Sequence, residues 1–123
     1  MTTSNDAGPD AGTLHRRSKS LLPGYGVPDS VTDAVAGFLG DLFTRGTLTF
    51  RDRQLITLAV LVALGTHDPL KLHVRNALAA GLTRDEIYEA ILQVGAYAGM
   101  GRSTDAYAVT QDILAPKGTD AAG

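Results

Sequence analysis

The sequence contains no cysteine, which excludes disulfides, thiolate metal sites and any thiol-based redox chemistry. It also lacks a long apolar run. The longest, Leu55 to Gly65, is interrupted only by Thr57 and falls far short of the roughly 20 residues that span a bilayer. No stretch near the N-terminus has the charged-then-apolar layout of a signal peptide, so a cytoplasmic location with no membrane partner is expected. An excess of charge of one sign is missing too. The formal net charge is −2, and His15-Arg16-Arg17-Ser18-Lys19 is the one short basic run that stands out. It reads as a solvated stretch of tail. A nucleic-acid-binding face works by neutralising many phosphates, so no nucleic acid is expected as a partner. Nothing alternates with a period of two over a useful length, and no internal repeat is visible.

What is present is one domain's worth of core. Hydrophobic residues make up 44% of the 123 and charged residues 20%, enough to build a single core. A domain of this size still exposes much apolar surface, so a second subunit is expected to cover part of it. Residues 1–28 read as a flexible arm, the first twelve being small and polar. Leu22 and Tyr25 are placed in it to lie across a neighbouring surface. Residues 29–115 read as the folded domain and 116–123 as a disordered tail.

The domain reads as helices, and the fold class as all-α. The first is expected from Asp29 or Ser30, either of which can cap it, to Arg45-Gly46. Its apolar face is Val31, Val35, Phe38, Leu39 and Leu42. The second begins at Thr49 and ends at Gly65. It is apolar on most sides, which makes it central to the fold. The third takes Asp68 as cap with Pro69 at the first helical position; Leu70, His73, Val74, Ala77 and Leu78 share one face. The fourth opens on a capping box, Thr83-Arg84-Asp85-Glu86, with Leu82 and Ile87 as its hydrophobic staple. The fifth follows a Gly99-Met100-Gly101 break and runs from about Ser103 to Leu114.

Four segments resemble, in order, the carboxymuconolactone decarboxylase family. They are Leu48-Thr49-Phe50-Arg51-Asp52-Arg53-Gln54-Leu55-Ile56, Leu70-Lys71-Leu72-His73, Asn76 to Ile87, and Ile91-Leu92-Gln93-Val94-Gly95-Ala96-Tyr97-Ala98-Gly99. The resemblance implies a five- to six-helix domain of the alkylhydroperoxidase D-like fold, assembled as a homotrimer or homohexamer. It also implies one of two chemistries: removal of CO₂ from a carboxylated lactone without cofactor, or thiol-based peroxide reduction. Aligned on His73, the redox cysteines of the second branch fall at Thr66 and Pro69, which cannot form thiolates. The family's glutamate after the Arg53 position is Gln54 here, and its glutamate four residues before the histidine is Pro69.

Each candidate group has a structural reading beside the chemical one. His73 can give and take a proton around neutrality, or can be a core histidine bonded to a backbone carbonyl. The amide of Gln54 can orient His73 or hold a substrate carbonyl, or can be an exposed first-turn residue. Arg51, Arg53 and Arg102 can clamp a carboxylate with paired hydrogen bonds, or form surface ion pairs; Arg53 can equally tie helix ends together. Tyr97 and Tyr107 can donate to a developing enolate oxygen, or pack as core or interface aromatics. Thr66, His67 and Asp68 form a polar corner. His67 and His73, six apart across a Pro-containing turn, do not make a metal pair. Asp105 reads as an exposed residue near a helix start, where negative charge is favoured. Gly95, Gly99 and Gly101 follow no strand and are not a phosphate loop.

The expected function is that of a cofactor- and metal-independent enzyme acting by proton transfer on an organic acid, lactone or enolisable carbonyl compound. Decarboxylation, isomerisation, dehydration or cyclisation would use the same parts, and a specialised biosynthetic pathway is the setting expected for such a diverged reaction. His73 and Gln54 are the expected catalytic residues, with Tyr97, Arg102, Thr66 and Arg53 on the substrate. The alternative is a catalytically silent homo-oligomer that binds a ligand or serves as a scaffold.

Overall fold

The structure, a computed structural model, describes residues 26–116. The basic run at 15–19, Leu22, Tyr25 and most of both expected tails lie outside the described residues. Five helices are present among those residues: α1 Asp29–Phe43, α2 Phe50–Leu64, α3 His67–Ala79, α4 Arg84–Ala98 and α5 Met100–Leu114. The fold is all-α, as the pattern predicts. The chain separates into two compact units that meet at Arg53 and Gln54, within the first turns of α2.

In the first unit, α1 begins one residue earlier than the sequence suggests. Pro28 is its N-cap, and the Pro28 carbonyl accepts from the backbone N–H groups of Val31 at 3.0 Å and Thr32 at 3.1 Å. Asp29 sits inside the first turn, where the helix dipole favours a carboxylate. The buried residues are Ala36 and Gly40, not the large apolar residues of the expected face; Phe38 is 66% exposed. The helix stops at Phe43 because the Thr44 hydroxyl donates back to the Gly40 carbonyl at 2.9 Å, ending the ladder before Arg45-Gly46. Thr49 opens α2, its hydroxyl accepting the Asp52 N–H at 3.0 Å. Phe43 and Phe50 pack edge to face, ring centroids 6.0 Å apart.

In the second unit one core joins all four helical segments. Leu58 and Val62 of α2, Leu70, Val74 and Ala77 of α3, Ile87, Ile91 and Val94 of α4, and Ala106 and Leu114 of α5 form a single buried cluster, with Leu82 from the loop. Each fully buried Leu or Ile contributes about 1.5–3 kcal/mol. The last helix packs on both α4 and α3. Polar contacts fix that packing. Lys71 meets Asp112 at 3.1 Å, the Tyr107 hydroxyl donates to the Tyr88 carbonyl at 3.0 Å, and Ser103 Oγ donates to the Ile91 carbonyl at 2.6 Å.

Two further boundaries and the burial of α2 differ from the pattern. The third helix starts at His67 with Thr66 as N-cap, so Pro69 occupies its third position, still within the turn whose N–H groups have no helical acceptor. The break between α4 and α5 is Gly99 alone, at φ 99; Met100 and Gly101 are already helical. The second helix buries only one stripe, while Ile56, Val60 and Leu64 remain 51%, 49% and 63% exposed. The capping box of α4 is complete, with Thr83 N–H to Glu86 Oε1 at 2.8 Å and Glu86 N–H to Thr83 Oγ1 at 3.1 Å. No helix among the described residues is long and apolar enough to cross a membrane.

Candidate functional site

Two buried polar atoms in the second unit find no hydrogen-bond partner within the fold: Gln54 Oε1 and His73 Nδ1. Both lie on helix stripes that build the core. Gln54 precedes Leu58 and Val62 at four-residue spacing, so the stripe that buries those two carries the amide inward as well. It is 4% exposed, not an exposed first-turn residue. His73 falls between Leu70 and Ala77 at spacings of three and four, on the face α3 gives to the core. Its ring is half-buried, and burial pushes its pKa below the ordinary 6.5. Among the described residues no carboxylate pairs with it, and no backbone carbonyl accepts from Nδ1. A buried polar group left this way costs about 1–3 kcal/mol, so such groups are rare and mark places where something else supplies the bond.

The other sequence candidates are distributed more widely. Arg102 and Thr66 come to one corner: a Cβ built on Gly65, at φ 72, would run into the Arg102 guanidinium. Thr66, next along the chain, is exposed and its hydroxyl donates to the Leu61 carbonyl at 3.4 Å. Tyr97, in the last turn of α4, is 90% exposed. Arg53 Nη2 donates to the Arg45 carbonyl at 3.4 Å, joining the start of α2 to the chain leaving α1. Burial raises the pKa of Tyr107, with Glu89 and Tyr88 adding to it; its hydroxyl is already given to Tyr88. Asp105 is exposed. Among the described residues no three His, Asp or Glu side chains come together as a metal site would require.

A groove of about 570 Å³ lies between α2 and α4, with Leu55, Ile56, Ala59 and Ala90 as its apolar lining and Asp85, Glu86, Glu89 and Gln93 as its polar lining. No residue of α3 lines it, and neither His73 nor Gln54 does. The acids here are residues the sequence reading used only for capping or passed over. Asp85, Glu89 and Gln93 recur every four residues, a spacing that puts them on one face.

An all-α core that carries a half-buried histidine and a buried amide on its helix stripes defines a small helical domain. The chain belongs to the carboxymuconolactone decarboxylase family, whose pattern matches residues 29–112. It is 37% identical over 75 residues to a 4-carboxymuconolactone decarboxylase of Acinetobacter baylyi, covering 61% of this chain and 56% of that protein. It is 32% identical over 91 residues to an uncharacterised 15.0 kDa protein of Paracoccus denitrificans, covering 72% and 68%. It is 35% identical over 75 residues to a nitrosuccinic acid decarboxylase of Metarhizium robertsii, covering 61% and 52%. The match thus spans little more than half the length of the two named decarboxylases.

Proposed function

We propose that this chain is a decarboxylase-like enzyme of small organic molecules, working without metal or cofactor, in which His73 carries the proton. The observation that carries the reading is the buried Nδ1 of His73 with no partner in the fold. A histidine kept for packing would be satisfied by a backbone carbonyl, and this one is not. The two decarboxylases among its relatives support the reaction class.

In the reaction so proposed, the bond between the carboxylate carbon and its neighbour breaks and CO₂ leaves. The electron pair moves onto an adjacent carbonyl oxygen, and His73 delivers a proton to the carbon left behind. Gln54 steadies the oxygen. A half-turn of its terminal torsion exchanges C=O for NH₂ at the unfilled position, so the amide can donate to an enolate. Isomerisation or ring closure through an enolate would use the same two groups. The enzyme is read as cytoplasmic and as a homo-oligomer, the half-exposed Ile56, Val60 and Leu64 stripe being the face that a second copy covers.

The test is incubation of the protein with small lactone acids and β-keto acids in D₂O, wild type against His73→Ala. CO₂ release or deuterium incorporation that disappears in a folded variant is the expected result. No turnover on any member would favour a silent, ligand-binding protein, a reading that the neutral Gln54 at the family's carboxylate position also suits.

A further inference from the structure

The groove between α2 and α4 combines two kinds of wall. Leu55, Ile56, Ala59 and Ala90 make an apolar floor, and Asp85 and Glu89 stand on its rim, both exposed. The chemistry proposed for His73 makes no use of it. Keeping water over an apolar floor is unfavourable, and apolar lining rimmed by polar groups marks a contact site. An occupant suited to it brings cations to the rim and an aliphatic side chain to the floor.

The chain carries such a segment outside the described residues. His15-Arg16-Arg17-Ser18-Lys19 is the basic run that stands out in the sequence, and Leu21-Leu22 follow it almost at once. Basic runs near an N-terminus often serve as interaction arms. The spacing fits as well as the charge. Successive residues of an extended segment point to opposite sides, so Arg17, Lys19 and Leu21 would share one face at intervals of about 6.6 Å. On α4, Asp85 and Glu89 are four residues apart, about 6 Å along the axis, and Gln93 is four further on. Laid along α4, the segment would set Arg17 at Asp85, Lys19 at Glu89 and Leu21 beside Gln93, over the apolar floor. Pro23 favours extended backbone at Leu22.

We propose that this groove receives the arm of a second copy of the chain, with Arg17 and Lys19 on Asp85 and Glu89 and Leu21 on the floor. A second copy is the source because Ile56 belongs both to the groove and to the exposed Ile56, Val60 and Leu64 stripe. The groove thus opens onto the face assigned above to self-association, and the proposal rests on that assignment. An exposed ion pair is worth little alone; two in register with a buried leucine fix where the arm lies.

The chain has no cysteine of its own, so a disulfide can be placed without competitors. Leu21→Cys and Gln93→Cys are made in separate full-length chains, which leaves Arg17, Lys19, Asp85 and Glu89 intact. The two chains are coexpressed and mildly oxidised. The expected product is a covalent dimer joined through positions 21 and 93, identified by mass spectrometry. It should form in preference to the product of Leu21→Cys with Asp105→Cys, an exposed site on α5 outside the groove. Glu89→Lys should lower its yield by about fivefold, the scale of one exposed ion pair turned to repulsion, and Lys19→Glu on the arm-bearing chain should restore it. No preference over the Asp105 pairing, or a yield indifferent to Glu89→Lys, would overturn the proposal. With Leu21→Cys and Gln93→Cys in one chain, a disulfide that closes only within that chain would put its own arm in the groove and overturn it too. Light scattering separates the two levels. A monomeric mass removes the self-association and the proposal together, whereas an oligomer that forms no 21–93 disulfide removes the arm's docking alone.

Discussion

Ser103 Oγ lies 2.6 Å from the Ile91 carbonyl oxygen, a hydrogen bond between two buried residues that holds the start of α5 against the middle of α4. The same place is crowded from the other side, where a Cβ on Gly95 would stand 2.8 Å from Ser103 Oγ and also run into Met100 Sδ. Met100 is half-exposed and can swing away, whereas Ser103 cannot move without giving up its bond. Ser103→Ala is expected to cost about 1 kcal/mol. Gly95→Ala is expected to cost about 1–3 kcal/mol of overpacking, partly offset by the roughly 1 kcal/mol by which alanine favours a helix over glycine. The double variant should lose less than the sum, because removing Oγ makes room for the new methyl. Urea unfolding of all four proteins measures the coupling; strict additivity would show that the two sites do not share this space.

The capping box should be the most valuable local contact in the chain. Thr83→Ala removes the acceptor of the Glu86 N–H and is expected to lower stability by about 0.5–2 kcal/mol, with Thr83→Ser losing much less. Thermal unfolding followed by circular dichroism separates the two variants.

His73 makes stability depend on pH in a defined direction. Its folded pKa lies below the ordinary 6.5 because burial disfavours the charged ring. The unfolded chain therefore binds a proton that the folded one does not. The associated stability is complete above pH 6.5 and is lost as pH falls through that value toward the folded pKa. A His73→Leu variant should show a flatter profile over that window. Equal slopes in the two proteins would mean that the ring is not desolvated.

Tyr107→Phe separates support from chemistry. The hydroxyl is held by the Tyr88 carbonyl at 3.0 Å, so its loss should cost about 1 kcal/mol of stability while leaving turnover, once a substrate is found, within about twofold of wild type. A hydroxyl that instead stabilised the enolate would be missed by about 100-fold or more in kcat.

The exposed stripe of α2 carries the proposed self-association. Val60→Glu places a charge at the middle of Ile56, Val60 and Leu64 without entering the buried stripe. Light scattering coupled to gel filtration is expected to report a smaller assembly for the variant, with unchanged helix content. An unaltered mass would move the interface elsewhere.

The sequence alone determined the helices and most of their ends. Its local chemistry acts over one turn: the Thr83–Glu86 box, Thr49 beneath Asp52, and glycines at 65, 81 and 99 where φ turns positive. Where prediction missed, a neighbour or a rival local bond decided. Thr44 turned its hydroxyl back on α1 and stopped it early. The Gly99-Met100-Gly101 break shrank to one residue, with Ser103 bonded to Ile91 and Gly95 giving the space beside it.

The order of the family's motifs, legible in the sequence, placed His73 and Gln54 as candidates, and their helical spacing to Leu70, Ala77 and Leu58 turned both inward. Only the tertiary structure decided what they meet there. Whether a buried polar atom finds a partner depends on residues far away in sequence, and here Asp112 goes to Lys71 and Tyr107 to Tyr88, leaving His73 Nδ1 and Gln54 Oε1 with none. The same holds for the groove beside Asp85 and Glu89: four-residue spacing makes a face, but a cavity exists only where two helices fail to close on one another.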